Sequence, residues 1–185
     1  MCFTLRSHMS AAPPQGGLTQ ALGPMENKLV SAQKDNQLAA AQKAYQEISG
    51  LALSGYQLLE AMLKTYLRNY FEIVKYLVGS EAHFGFTGKE YDKAALGTLL
   101  KIFAKTCADH SLVKDLQAEV SHRNHLAHQA WLVIYSRQQY SSSELNVMAN
   151  ELALRAEIVS SLLKRLDGAH STLVATYRRD LGPGA

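Results

Sequence analysis

The sequence predicts an all-α fold, an antiparallel up-and-down bundle of four to five long helices. Three observations lead there. Apolar residues recur at steps of three and four over most of residues 26–180, no stretch alternates with period two between hairpin turns, and glycines and prolines gather at the two ends and between the periodic segments. With 185 residues, 47% of them hydrophobic and 19% charged, the chain has apolar material for one core and is not of the fully disordered class.

Residues 1–24 hold three of the four prolines (Pro13, Pro14, Pro24) and no periodicity, which reads as a flexible leader. Ser7-His8-Met9 reads equally well as a cloning scar, so no function is attached to His8. One helical domain is expected over 25–181, followed by a tail over 182–185 in which Gly182-Pro183-Gly184 stops the last helix.

The first periodic stretch covers 26–79, with Tyr45, Ile48, Ala52, Leu59, Met62 or Leu63, Tyr66, Tyr70, Ile73 or Val74, and Leu77 on one face. Gly50 and Gly55 interrupt it, each costing about 1 kcal/mol relative to Ala, so it is either one long helix or two joined near Gly50. Gly79 and Ser80 end it, and Gly85 to Gly88 form a turn. A second helix fits 89–107. Asp109 or Ser111 can cap a third over about 112–136. Ser141 with Glu144 matches the capping box, in which each side chain satisfies a backbone N–H of the other residue. That opens a fourth helix running to about Asp180, with Gly168 as its weak point. The length of the first and fourth helices hints at a homodimer.

The net charge of +3 tolerates RNA or another anionic partner without demanding one. Only Cys2 and Cys107 are present, which excludes a disulfide framework and a four-cysteine zinc site. No apolar run approaches the roughly 18 residues of a membrane span, and Met1 to Ser10 lack the apolar stretch of a secretory signal. A cytoplasmic protein with no membrane association and no cofactor is the expectation.

The informative segment is Ser121 to Trp131 (SHRNHLAHQAW). With Arg123 at 0° on a wheel of about 100° per residue, Leu112, Leu116, Val120, Ala127, Trp131 and Ile134 fall between roughly −20° and 80°. Arg123 therefore sits inside an apolar stripe. Asn124 and His128, at roughly 100° and 140°, lie along one edge of it, and His122 and His125 point away. A guanidinium on a buried face keeps its proton and must meet a carboxylate, a partner subunit or a phosphate. Arg for phosphate charge, His for proton transfer and Asn to orient either form a set suited to metal-independent phosphodiester chemistry.

Arg123-Asn124-x-x-x-His128 resembles the R-x(4–6)-H signature of the HEPN superfamily (higher eukaryotes and prokaryotes nucleotide-binding domains). In that family a polar residue, often Asn, follows the Arg on a late helix of an all-α bundle. The bundle order matches across roughly 45–180, although only the motif segment is specific. With eight arginines and seven histidines, about one bare match arises by chance, whereas requiring the Asn and a spacing of four lowers the expectation to about 0.01. The resemblance implies a homodimer with both motifs facing one cleft and a metal-independent endoribonuclease, a toxin or antiviral defence effector, often beside a nucleotidyltransferase-type antitoxin. One branch of the family carries Tyr two residues after the His, where the antitoxin can modify it; this chain has Ala130 there, which argues against that form of control.

The expected function is thus RNA cleavage by 2′-OH attack, with Arg123, Asn124 and His128 as the catalytic residues. The alternative is a non-catalytic helical dimer that binds nucleotide, RNA or a protein partner through the same cleft. Metal binding by His122, His125 and His128 is disfavoured, because they fan over roughly 120° and include no i, i+4 pair. Arg68-Asn69 has no His within reach and reads as an exposed face, Tyr56, Tyr66, Tyr70 and Tyr76 read as core, and Gly85-Phe86-Thr87-Gly88-Lys89 lacks P-loop spacing.

Overall fold

Four α-helices and one 3-10 turn make up nearly all of the described residues, with no strand among them. The structure, a computed structural model, describes residues 23–79, 83–135 and 140–181, and within them the side chains of 28–79, 83–130, 132–133 and 140–178. The tail, the leader up to residue 22 and Ser80 lie outside the described residues, as do the side chains of Trp131 and Ile134. The chain divides into two compact units, Met1–Leu38 and Ala39–Ala185, and the division falls inside the stretch expected to be one domain. In the first unit the described side chains are mostly exposed, and the Ser31 hydroxyl donates to the Lys28 carbonyl at 2.9 Å. The core, the interhelical contacts and the candidate sites all lie in the second.

Helix α1 (Gly23–Val78) runs without a break through Gly50 and Gly55, which settles the choice in favour of one helix. The reason is burial on both sides of the glycines: Tyr45, Ala52, Tyr56, Leu59, Leu63 and Leu67 are all in the core. Burying one such large side chain is worth about 1.5–3 kcal/mol, more than the roughly 1 kcal/mol each glycine costs. Gly55 also has a use. A Cβ there would lie 3.0 Å from Val159 Cγ1, so its absence lets α1 and α4 approach closely. Gly79, at φ +66°, closes the helix by donating to the Lys75 and Tyr76 carbonyls.

The helix expected over 89–107 is divided, and this corrects the sequence reading. A 3-10 turn covers Lys89–Tyr91, and α2 begins only at Leu96 and ends at Thr106. The cause is a clamp onto α1. Gly88, at φ +78°, passes so close to Arg68 that a Cβ would meet its Cα at 2.8 Å, and Asp92 accepts a hydrogen bond from the Arg68 guanidinium. Tyr91 and Phe86 stack on Phe71 with centroids 6.0 and 5.9 Å apart. These contacts turn the chain before it can enter α2.

Helix α3 (His110–Tyr135) starts two residues earlier than expected, and Asp109 is its cap: the carboxylate accepts from Leu112 N–H at 2.9 Å and from the Ser111 hydroxyl at 2.8 Å. Helix α4 (Ser142–Leu181) opens on the expected capping box, with Ser141 N–H donating to Glu144 at 2.8 Å and Glu144 N–H to Ser141 Oγ at 3.2 Å. It passes Gly168 unbroken. Leu99, Leu100 and Phe103 of α2, Leu112 and Leu116 of α3, and Leu162 and Leu166 of α4 complete a core shared by all four helices. Arg165 of α4 ties to the start of α3, bonding Asp115 at 2.5 Å and Ser111 at 2.8 Å.

Tyr56 and Tyr66 are core, as expected, but Tyr76 is half exposed and packs edge-on against Tyr177 at 5.8 Å. Arg68 is exposed, whereas the neighbouring Asn69 is partly buried and bonds His170 at 2.6 Å.

Candidate functional site on the third helix

The buried face of α3 carries Leu112, Leu116, Glu119, Leu126 and Ala130, so on the wheel it is centred close to Arg123. Val120 and Ala127 are only partly buried, because the face turns toward Leu126 rather than toward Ala127. The Arg123 guanidinium meets a carboxylate, one of the three partners its position calls for. Its Nη2 donates to Glu60 Oε1 of α1 at 3.1 Å, and its Nη1 donates to Asn124 Oδ1 at 3.4 Å. The Arg123 side chain is 33% exposed and that of Glu60 17%, so the pair sits at the rim of the core. Asn124 is exposed beside it, and His128 is exposed farther along the helix. Five residues at about 1.5 Å rise set Arg123 and His128 roughly 7.5 Å apart along the axis, on different sides of the helix.

His122 is partly buried and His125 exposed, and both lie on the side of α3 that faces α4. They line a groove together with Tyr45 and Tyr56 of α1 and Glu151 and Arg155 of α4. Tyr56 and Arg155 also belong to a buried polar network behind the groove lining. Glu119, 3% exposed, accepts the Tyr56 hydroxyl at 2.7 Å on one carboxylate oxygen and Arg155 Nη1 at 3.3 Å on the other. Burial, together with the bond to the Glu119 carboxylate, pushes the Tyr56 hydroxyl well above the ordinary tyrosine range. Burial also raises Tyr45.

The structure thus groups Arg123, Asn124 and Glu60 directly, leaves His128 exposed on the adjoining edge, and gathers His122 and His125 elsewhere. Glu60 and Glu119 escaped the sequence reading. Glu119 had a legible signal, the one that singled out Arg123: a charge four residues earlier on the same buried face. Glu60 had none, since it stands one residue off the stripe of α1 and only the packing of α3 brings it to Arg123. Among the described residues no group of three or more His, Cys, Asp or Glu is placed to hold a metal ion, and no helix is long and apolar enough to cross a membrane.

Comparison with protein-family models, with curated proteins and with solved structures yields no match for this chain.

Proposed function

We propose that the chain is a metal-independent endoribonuclease of HEPN type that works as a homodimer. The observation that supports it most is the group Glu60–Arg123–Asn124. It holds a permanent cation at a fixed place, one third exposed, beside an exposed amide, with the exposed imidazole of His128 farther along and round the same helix. In the reaction proposed, the neutral imidazole of His128 takes the proton of a ribose 2′-OH, and the 2′-oxygen forms a bond to the adjacent phosphorus. The bond from phosphorus to the 5′-oxygen breaks, and that oxygen takes a proton from the partner's His128 or from water. Arg123 stabilises the charge gathering on the phosphoryl oxygens, and Asn124 orients the phosphate or the imidazole. The products are a 2′,3′-cyclic phosphate and a 5′-hydroxyl. A cleft built across a two-fold relaxes the separation of Arg123 and His128 within one chain. A toxin or defence role, with a nucleotidyltransferase-type antitoxin as partner, belongs to the same proposal.

A second reading is favoured by one contact. Glu60 already neutralises Arg123, so the same cleft suits a non-catalytic helical dimer that binds nucleotide, RNA or a protein partner. Incubating the pure protein with mixed RNAs in excess EDTA separates the two: the ribonuclease leaves fragments ending in 2′,3′-cyclic phosphate, whereas the binding module retards RNA without cutting it.

A further inference from the structure

The groove between α3 and α4 has a volume of about 440 Å³ and uses none of Arg123, Asn124 or His128. Its floor is apolar, built from Tyr45, Leu126, Met148 and Leu152. Its walls are polar and face each other: His122, His125 and Gln129 on successive turns of α3, and Glu151 and Arg155 one turn apart on α4. An apolar floor with a few converging polar groups is the usual makeup of a small-molecule site, and the volume lies within the range of about 300–1,000 Å³ such sites occupy.

Two further observations narrow the ligand. His122, His125, Gln129 and Glu151 make no side-chain hydrogen bond to other described residues, and Arg155 uses only Nη1, so donors and acceptors line the groove unspent. The charge is already balanced: the nine-tenths-buried carboxylate of Glu119 holds Arg155 in place and offsets it, and Glu151 adds a negative charge at the wall. The fixed charges, Arg155 against Glu119 and Glu151, leave the groove no surplus positive charge to attract a phosphate or carboxylate. It offers instead an acceptor, Glu151, beside a donor, Arg155, at the i, i+4 separation of about 5–6 Å. Gln129 across the groove supplies both.

We propose that this groove binds an uncharged, flat heterocycle that carries a hydrogen-bond donor beside an acceptor on one edge, a lactam ring of the guanine kind. The ring lies on the apolar floor, its N–H donates to Glu151, and its carbonyl accepts from Arg155. Such a ring arrives either as a free molecule or as a base in an RNA strand, and the probes below distinguish the two.

The test follows the imidazole resonances of the full chain by NMR while guanosine is titrated at pH 7. Guanosine is expected to shift His122 and His125 and to leave the exposed His83 and His110 unmoved. 1-Methylguanosine, which lacks the N–H, and the variant Glu151→Gln should each bind at least tenfold more weakly. Glu151 is exposed, so this variant keeps its fold, which circular dichroism checks. A response to the trinucleotide UGU but not to UAU or guanosine assigns the ring to a strand and keeps the site. Silence toward both guanosine and UGU overturns the proposal, and so does an equal response at His83. Undiminished binding in Glu151→Gln overturns the assigned contact to Glu151, and tighter binding of guanosine 5′-monophosphate than of guanosine overturns the choice of an uncharged ring. RNA cleavage by the α3 motif is untouched by any of these outcomes.

Discussion

Arg123 and Glu119 are the two charges that α3 turns toward the core, and they are satisfied in different ways. Glu119 is closed off, with both carboxylate oxygens occupied from α1 and α4. Removing it in Glu119→Ala leaves the buried Tyr56 hydroxyl without its partner and returns the part-exposed Arg155 to solvent, and should cost about 1–3 kcal/mol in chemical denaturation. Arg123 stays partly open, which is what a phosphate needs. In the proposed ribonuclease, His128→Ala should lower the cleavage rate by about 10²–10⁴-fold while the melting temperature barely changes, because His128 is exposed. Arg123→Ala should abolish cleavage too, whereas His122→Ala and His125→Ala keep most of it. If His125→Ala were as inactive as His128→Ala with the fold intact, His128 would lose its assigned role. The same chemistry requires that RNA with a 2′-deoxy substitution at the scissile nucleotide bind without being cut. Cleavage of it at an undiminished rate would sink the mechanism.

At the scale of the elements, the glycines and caps make separable contributions. A Cβ at Gly50 or at Gly168 meets nothing within 4 Å, so Gly50→Ala and Gly168→Ala should each stabilise by up to about 1 kcal/mol, read as a rise in the denaturation midpoint. Gly55→Ala gains the same propensity but presses on Val159, so its gain should be smaller than that of Gly50→Ala or reversed. Gly88→Ala should destabilise, since it combines φ +78° with a Cβ 2.8 Å from the Arg68 backbone. Ser141→Ala removes one half of the capping box and should cost about 1 kcal/mol.

For the whole molecule, two pH limits follow from hydrogen bonding and burial. Backbone N–H groups hold the Asp109 and Glu144 carboxyls below the ordinary carboxylate range, from Leu112 and Ser141 respectively. A depressed acid stabilises above its unfolded value and loses that contribution as pH falls through its folded value, so stability should decline below about pH 4. Tyr66 shows the opposite case. Burial pushes its hydroxyl up to about 12, so above about pH 10 the unfolded chain ionises first and stability should fall from there. Thermal melts from pH 3 to 11 check both limbs. The proposed ribonuclease also has a requirement at this scale: sedimentation at micromolar concentration should show a dimer, and a strict monomer would remove the shared cleft. The exposed apolar residues Leu51, Leu58, Val147 and Leu154 leave α1 and α4 with surface that such an association can cover.

Periodicity and capping chemistry, read from the sequence alone, determined the all-α class, the Ser141–Glu144 start of α4 and the facing of Arg123 toward the core. These are local properties: one residue's turn on a helix, or a hydrogen bond spanning three residues, needs no knowledge of distant chain. Tertiary structure decided the rest. Gly50 and Gly55 left the continuity of α1 open until burial on both sides of them closed it. The break before α2 depends on Arg68, some twenty residues away, and so leaves no mark in residues 89–107. Glu60 reaches Arg123, and Tyr56 and Arg155 reach Glu119, across intervals that no spacing rule covers, because which helix packs against which follows from the sum of many small burial energies. Whether Arg123 would meet a carboxylate, a partner or a phosphate was therefore beyond the sequence, while the need for one of them was written in it.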